Sequence, residues 1–363
     1  MPNPRKIVLI LGNGFDLDLG LKTSYKDFWE SEYCPKNYPA PLIYHLNQRW
    51  KENISAVRWY DLENELLEYY KTIPDPKVGK DYITIKEHEC LKRFKPSDWS
   101  FGYPEEDIPI ITSLINKGVI VPYVNIIPGV EVPFREDISL SPIERDRRAF
   151  QRIKEKFCEY LKTLRSVPQN ENSFAEVVSR AMGQSIKQGD DVQIFSFNYT
   201  PIRYLSQHLL TDHLQYMHGD VSTGTITIGT RDNMTMAKEY DFLQKVIDSP
   251  FRRPNIVSAL KEAQEVIIFG HSLGENDRQY FEPFFIQHSQ PEAARPVSIY
   301  FFTKDGASEI ELKRSLLIMT NNNLSSLLSL NTVSSIRTAE PMRAQQDFIS
   351  FLGDHYMSTY LDY

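Results

Sequence analysis

The chain has little cysteine and no long apolar run, and both absences narrow the possible classes of protein. Its three cysteines, Cys34, Cys90 and Cys158, are an odd number and lie far apart. Their spacing does not match a structural zinc site, so we expect reduced thiols and no metal. The apolar run over residues 7–11 is too short for a signal peptide, and no other stretch approaches a membrane span. We therefore expect a cytoplasmic protein that does not bind a membrane.

The chain also lacks an excess of positive charge. The 41 lysines and arginines are outnumbered by 48 aspartates and glutamates, and the formal net charge is −7. Nucleic-acid binding depends on a basic surface, so a nucleic-acid partner is not expected. The basic residues of a predicted helix from residue 142 are interleaved with acidic ones, which is typical of a solvated, ion-paired face. The 363 residues, 41% of them hydrophobic, suit a globular protein of about two structural units.

Short apolar runs along the chain predict an α/β sheet. The first, over residues 7–11, is uninterrupted and rich in β-branched side chains, as in a parallel strand buried on both faces. Further strands are predicted over residues 192–197, 214–217, 225–228, 266–269 and 297–302, several of them separated by helical patterns. This alternation predicts a Rossmann-like, mostly parallel sheet.

The same pattern predicts three regions. They are a discontinuous nucleotide-binding domain over residues 1–55 and 190–310, an inserted helical and irregular region over residues 56–189, and a helical segment over residues 311–363 packed on the core. Prolines interrupt every candidate element between about residues 71 and 140, before capping boxes at Ser141 and Ser173 start two helices. Residues 321–335 hold enough leucine for a packed helix.

A glycine-rich loop follows the first strand. It reads Gly12-Asn13-Gly14-Phe15-Asp16-Leu17-Asp18-Leu19-Gly20. Its first glycines allow a sharp turn and close approach of a ligand, and the next helix N-terminus would stabilise a phosphate. Leu17 stands where the dehydrogenase fingerprint has a third glycine, and the spacing to Lys22 does not fit the NTPase loop. The loop thus predicts a nucleotide-phosphate site of neither type, with a tight structural turn as the alternative.

Polar residues follow two other predicted strands. Asn198 comes after the strand over residues 192–197, and His218-Gly219 after the strand over residues 214–217. Ligands of open α/β sheets bind at the carboxyl ends of the strands. A single histidine is usually structural, but sharing this edge with Asn198 and the glycine loop favours a functional role.

The strand over residues 266–269 leads into Gly270-His271-Ser272-Leu273-Gly274, which matches the nucleophile elbow of α/β-hydrolases. Ser272 would be the nucleophile of such an enzyme. Its acid and histidine partners should follow on later strands, yet only one further strand is predicted. A serine hydrolase is therefore the weaker alternative.

Taken in order, these motifs resemble the AbiH family of bacterial abortive-infection factors against phage. The resemblance is carried by residues 10–16, 22–25, 197–200, 218–219 and 270–273, together with Trp59 and Glu63. It implies a role in phage defence, with an activation trigger of phage or host origin.

The motif order is also similar to the sirtuin-like fold, in which a glycine loop, a strand-end asparagine and a His-Gly pair surround NAD. This resemblance implies that Asn198 and His218 form the catalytic pair. It implies dinucleotide contacts from Gly12, Asn13, Gly14, Phe15, Gly20, Gly219, Gly270, His271 and Ser272. Trp29 stands where the resemblance expects an arginine, and the four cysteines of the sirtuin zinc module are absent. Because these cysteines are absent, protein deacylation is not expected. The resemblance then implies hydrolysis of NAD.

The leading hypothesis is therefore an NAD⁺ glycohydrolase that cleaves the nicotinamide–ribose bond. Asn198 would hold the attacking water or a ribose hydroxyl, and neutral His218 would accept a proton. Asp16 would either steady the positive ribose or satisfy backbone N–H groups of the turn, and both roles stay open. The alternative of another class is a module that senses NAD or an ADP-ribose-like dinucleotide without turnover. Assembly into a homo-oligomer is compatible with either.

Overall fold

The computed structural model describes residues 4–53, 61–73, 86–87, 89–90, 106–116, 140–164, 170, 172–201, 213–231, 236–248, 254–292 and 295–356. The chain divides into two compact units. Unit 1 contains residues 1–24, 161–227 and 250–363, and unit 2 contains residues 25–160 and 228–249. Most of the proline-rich region over residues 71–140 lies outside the described residues.

Unit 1 is built on a six-stranded parallel sheet. Its strands are β1 (Lys6–Leu11), β2 (Asp191–Ser196), β3 (Leu214–Tyr216), β6 (Glu265–Phe269), β7 (Ser298–Thr303) and β8 (Thr332–Arg337). They lie in the order β3-β2-β1-β6-β7-β8. The short strands β4 (Gly219–Asp220) and β5 (Thr225–Ile226) form a separate antiparallel hairpin. The mixed α/β fold with a parallel sheet, predicted from the sequence, is confirmed.

The helices of the described residues are numbered in chain order. They are α1 (Asn13–Asp18), α2 (Tyr25–Glu30), α3 (Pro41–Asn53), α4 (Leu62–Thr72), α5 (Ile108–Asn116), α6 (Pro142–Thr163), α7 (Phe174–Lys187), α8 (Ile256–Glu262), α9 (Arg278–His288), α10 (Gly306–Met319), α11 (Leu324–Leu330) and α12 (Gln346–Asp354). Ser173 accepts a hydrogen bond from the Glu176 N–H and caps α7, as the sequence predicted. Among the residues placed by the structure, no helix is both long enough and apolar enough to cross a membrane.

The central strand β1 is buried on both faces. Ile7, Leu9 and Leu11 belong to a core cluster with side chains of α7 and α12. Val8 and Ile10 point to the opposite face, into a cluster with side chains of α8, α9, α10 and α11. Helices therefore cover both sides of the sheet, and β1 lies between β2 and β6. This explains why the sequence of β1 lacks polar alternation.

Two predicted elements differ from the structure. In the leucine-rich stretch over residues 321–335, α11 covers only Leu324–Leu330 and β8 begins at Thr332. The β-branched residues Thr332, Val333 and Ile336 suit a strand, and β8 pairs along its whole length with β7. Residues 225–228 contribute only the two-residue β5 to the hairpin, outside the main sheet.

Unit 2 contains α2 to α5, most of α6, and two short 3₁₀ helices. Its interior holds charged groups that the sequence placed on a solvated face of α6, because Arg145 and Asp146 are both buried. Asp146 accepts hydrogen bonds from the Leu42 N–H at 2.8 Å and from the Tyr69 hydroxyl. Burial raises the pKa of Asp146 to about 7. The prediction of a fully solvated face was wrong for these two residues.

Candidate functional site

The predicted motifs meet at the carboxyl edge of the sheet in unit 1. There β1 runs into Gly12, β2 into Phe197 and Asn198, β3 into His218, and β6 into Gly270. These four strands are neighbours in the sheet and run parallel. The topology therefore collects four segments that are far apart in sequence at the edge where ligands of such sheets bind.

The glycines after β1 pack directly against the loop after β6. The Gly12 N–H donates to the Phe269 carbonyl oxygen at 2.9 Å, and the Gly14 N–H donates to the Gly270 carbonyl oxygen at 3.0 Å. A β-carbon on Gly12 would lie 2.5 Å from His271 Cα, and one on Gly14 would lie 2.6 Å from Gly270 Cα. Gly270 has a φ of 63°, which favours glycine. The two loops thus touch through their backbones, which gives these glycines a structural reason independent of a phosphate.

Gly20 ends helix α1. It has a φ of 89°, and its N–H donates to the Leu17 carbonyl oxygen at 3.0 Å. The next residue, Leu21, donates its N–H to the Asp16 carbonyl oxygen at 3.0 Å. This pair of bonds is a Schellman motif, so Gly20 caps the helix C-terminus.

Phe15 and Gly219, both predicted to contact a dinucleotide, have local structural roles. Phe15 is fully buried, and its ring meets that of Phe269 edge-on with 5.3 Å between centroids. Gly219 lies in the hairpin with a φ of 78°, and a β-carbon there would lie 2.2 Å from the Thr225 carbonyl oxygen. The hairpin therefore requires glycine at this position.

Asp16 is the centre of a buried polar network beneath the glycine loop. Asn198 Nδ2 donates to Asp16 Oδ1 at 2.8 Å, and the Thr200 hydroxyl donates to Asp16 Oδ2. Burial raises the pKa of Asp16 to about 7, although the hydrogen bonds from Thr200 and Asn198 lower it. These contacts do not match the satisfaction of backbone N–H groups of the turn, because the partners are side chains. Asp16 holds Asn198 in place.

The amide of Asn198 has a fixed orientation. Its Nδ2 donates to the Gly12 carbonyl oxygen at 3.0 Å as well as to Asp16, which uses both amide hydrogens. Its Oδ1 makes no hydrogen bond within the described part of the chain. Asn13 follows Gly12 in the glycine loop. Its Oδ1 accepts a hydrogen bond from the Thr23 hydroxyl at 2.6 Å, while its buried Nδ2 has no partner among the same residues. The site can therefore offer a ligand one acceptor and one donor.

A second cluster joins His218 to the loop after β6. His218 Nε2 lies 3.2 Å from Asp277 Oδ1, and His271 Nε2 lies 3.4 Å from Asp277 Oδ2. The ring of Phe197 packs against both histidines, with 5.5 Å to the His218 centroid and 4.4 Å to the His271 centroid. The His218 side chain is 4% exposed and that of Asp277 is 17% exposed. A carboxylate thus bridges the two histidines at the same edge as Asn198.

Asp277 was missed as a site residue by the analysis of the sequence. It lies in the polar run Glu275-Asn276-Asp277, which separates the glycine turn from α9. A polar run directly after a buried strand places its side chains at the carboxyl edge, and this signal could have identified it. No group of three or more metal-ligating side chains in the described ranges is arranged to hold a metal ion.

Ser272 does not have the surroundings of a hydrolase nucleophile. It is exposed, and within the described residues its hydroxyl makes no hydrogen bond. In a nucleophile elbow the serine itself lies at the strained turn before the helix. Here the left-handed residues are Gly270 and Leu273, and α9 begins only at Arg278. This geometry weakens the serine hydrolase alternative.

Two residues of the motif set remain, Trp59 and Glu63. Trp59 lies outside the described residues. Glu63 belongs to unit 2, where it is buried and forms an ion pair with Lys245 at 2.8 Å. A buried ion pair of this kind accounts for Glu63 without a ligand.

Comparison with known proteins adds one finding. The family model for Bacteriophage abortive infection AbiH matches residues 8–300. The match includes the glycine loop, Asn198, His218 and the loop that carries Asp277. No curated protein and no solved structure matches the chain.

Proposed function

The chain belongs to the AbiH family of bacteriophage abortive infection proteins, and we propose that it acts as an NAD⁺ glycohydrolase. The reaction consumes NAD⁺ and water and yields nicotinamide, ADP-ribose and a proton. Loss of NAD⁺ would starve the infected cell, which links this chemistry to abortive infection.

The order of the strands supports a dinucleotide as the ligand. Counting only the strands of the main sheet along the chain, β3-β2-β1-β6-β7-β8 is the order of the Rossmann-like, doubly wound domains. In those domains the ligand binds where the strand order reverses, here at β1 and β6. The similarity of the motif order to the sirtuin-like fold narrows the dinucleotide to NAD, and this step is an analogy between folds.

The observation that supports the proposal is the placement of Asn198 and His218 after neighbouring parallel strands at the same edge of the sheet. Both hydrogens of Asn198 Nδ2 are already donated, so the amide can bind a ligand only through Oδ1. Oδ1 would accept a hydrogen bond from the attacking water or from a ribose hydroxyl. His218 would take the proton that the water loses as its oxygen bonds to the ribose carbon. The electron pair of the broken carbon–nitrogen bond leaves with nicotinamide. General base catalysis of this kind contributes about 10²- to 10⁴-fold in rate.

Asn13 is the loop residue with a polar group to spare for the dinucleotide. The N–H groups of Gly12 and Gly14 donate to the loop after β6, so they do not face a phosphate in this conformation. The buried Nδ2 of Asn13 lacks a partner in the described residues, and an oxygen of the dinucleotide would satisfy it. We therefore assign phosphate or hydroxyl recognition to Asn13 rather than to the glycines.

The depth of the site favours an activation step. Asn198 and His218 are only 6% and 4% exposed. A trigger of phage or host origin would have to open the carboxyl edge before a dinucleotide could reach both side chains. We accordingly expect little turnover by the protein in uninfected cells.

The test measures NAD⁺ and nicotinamide in cells that express the full chain, before and after phage infection. We expect NAD⁺ to fall and nicotinamide to rise in infected cells, and Asn198→Ala or His218→Ala to abolish both changes. His213→Ala is the matched control, because His213 precedes β3 at the opposite edge and its Nδ1 lies 2.9 Å from the Val192 carbonyl oxygen. Protection from phage without NAD⁺ loss, or NAD⁺ loss that survives His218→Ala, would contradict the proposal.

A further inference from the structure

The carboxylate of Asp277 determines where the proton of His218 lies. Its Oδ1 lies 3.2 Å from His218 Nε2, and a carboxylate only accepts hydrogen bonds. The hydrogen of neutral His218 is therefore on Nε2, and the lone pair is on Nδ1. The same side chain thereby sets both the ring orientation and the atom that can accept a proton.

His271 supports the carboxylate from the other side. Its Nδ1 accepts the Leu273 N–H at 2.9 Å, so Nδ1 carries no hydrogen and the ring is neutral. The remaining hydrogen is on Nε2, which lies 3.4 Å from Asp277 Oδ2. Leu273 makes this contact from a left-handed conformation with a φ of 51°, which costs energy for a non-glycine residue. The backbone of the loop is therefore strained at the residue that orients His271.

We propose that Asp277 is a positioning residue for the proton transfer, which it serves by fixing the tautomer of His218 and stabilising the imidazolium that forms. The inference rests on the proposed NAD⁺ hydrolysis. In that reaction an O–H bond of water breaks, the water oxygen bonds to the ribose carbon, and nicotinamide leaves with the electron pair. The proton moves to Nδ1 of His218 and later to solvent. The positive ring then lies against the negative carboxylate.

The surroundings strengthen this pairing. The titratable groups that face His218 include Asp277, with His271 behind it, and Tyr199, whose ring centroid lies 6.4 Å away. The apolar ring of Phe197 also packs against His218. With the histidine almost fully buried, the charge of Asp277 is only weakly screened by water.

The experiment replaces Asp277 by asparagine, which keeps the size and removes the charge. We expect the rate of NAD⁺ consumption per folded molecule in infected cells to fall by about 10²-fold or more, within the range of general base catalysis. Asp277→Glu should recover part of the rate. Asp305→Asn is the matched control, since Asp305 caps α10 at the end of β7 and asparagine can still cap.

The ring nitrogens of His218 give a readout that needs no turnover. In ¹⁵N spectra of the purified full chain without NAD⁺, we expect a single tautomer for His218 in the native protein and a mixture in Asp277→Asn, with His218→Ala assigning the signal. An unchanged tautomer of His218 in Asp277→Asn would overturn the positioning role. If the spectra change as expected but NAD⁺ does not fall in infected cells that express the native protein, the proposed reaction fails while the positioning of His218 stands.

Discussion

The two edges of the sheet in unit 1 both carry buried histidines beside carboxylates, and the carboxyl edge also carries two asparagine amides that each leave one polar atom without a partner among the described residues. At the amino edge, Arg5 forms an ion pair with Asp190 at 2.7 Å and lies 3.5 Å from Glu265. Glu265 also lies 2.6 Å from His355, whose other ring nitrogen contacts the Ser185 hydroxyl at 2.9 Å. These groups join β1, β2 and β6 to α7 and to the end of α12.

The carboxyl edge is built from similar residue types but is not closed in this way. There Asn198 Oδ1 and Asn13 Nδ2 lack partners among the described residues, and the carboxylate of Asp277 is 17% exposed. At the amino edge the charged groups lie within ion-pair distance of one another, whereas at the carboxyl edge these uncharged amide atoms are retained at a cost. The contrast teaches that the state of pairing, rather than the presence of a buried histidine, separates a site from a structural cluster.

The largest effect is expected where the loops after β1 and β6 touch through their backbones. Gly270→Ala places a β-carbon 2.4 Å from Gly14 Cα in a left-handed conformation. We expect it to destabilise the fold by about 2–5 kcal/mol, combining the left-handed penalty with overpacking. Gly20→Ala is the matched control, because its β-carbon would meet nothing within 4 Å, and it should cost only about 1 kcal/mol. Denaturant unfolding measures both, and equal costs would refute the loop–loop explanation.

The amino edge should respond in stability alone. Glu265→Ala removes the partner of the fully buried His355, and we expect a loss of about 3 kcal/mol in the free energy of unfolding. Since no residue of the proposed site is touched, NAD⁺ consumption per folded molecule should stay at the native rate. A specific loss of consumption in a folded Glu265→Ala protein would break the contrast between the edges.

The third effect concerns the pH dependence of stability and is spread over several pH units. The pKa of Asp16 is about 7 in the folded protein, against an ordinary value of 3.8, so the folded state keeps a proton that the unfolded state releases. This contribution to stability is fully present below about pH 4 and is lost as the pH rises to about 7. Asp16→Asn should make the fall in melting temperature over this range shallower.

Asp146→Asn is the control for Asp16, because Asp146 in unit 2 is equally buried and also has a pKa of about 7. Both variants should flatten the pH dependence of the melting temperature. Only Asp16→Asn should reduce NAD⁺ consumption, since Asp16 holds Asn198. Equal activity of the two variants would remove Asp16 from the site.

The sequence predicted the buried strands well because their apolar runs reflect local burial. Strands β1, β2, β6 and β7 lie within about one residue of the prediction. Strand β8 was missed because its pairing with β7 is a tertiary contact that overrides a leucine-rich helical pattern. Residues 225–228 were predicted as a strand, but their pairing in a hairpin depends on a register that composition does not encode.

The candidate site was predictable only in part. The placement of Asn198 and His218 at one edge followed from strand order along the chain. The sequence did not show why glycine is required in these loops, because the contact between Gly14 and Gly270 joins segments that are distant in sequence. The polar run after β6 indicates the edge for Asp277 but not its partner, because its contact with His218 joins segments that are distant in sequence.

The backbone contact between the loops has a consequence for how this protein can diverge. Gly12, Gly14 and Gly270 behave as one motif split across the chain, because a side chain at any of the three would occupy space taken by the opposite loop. Substitutions at these positions should therefore be coupled, and a change in one loop would be tolerated only with a compensating shift in the other. A search for distant members of the family gains more from requiring the three glycines together than from the Gly-x-Gly pair alone.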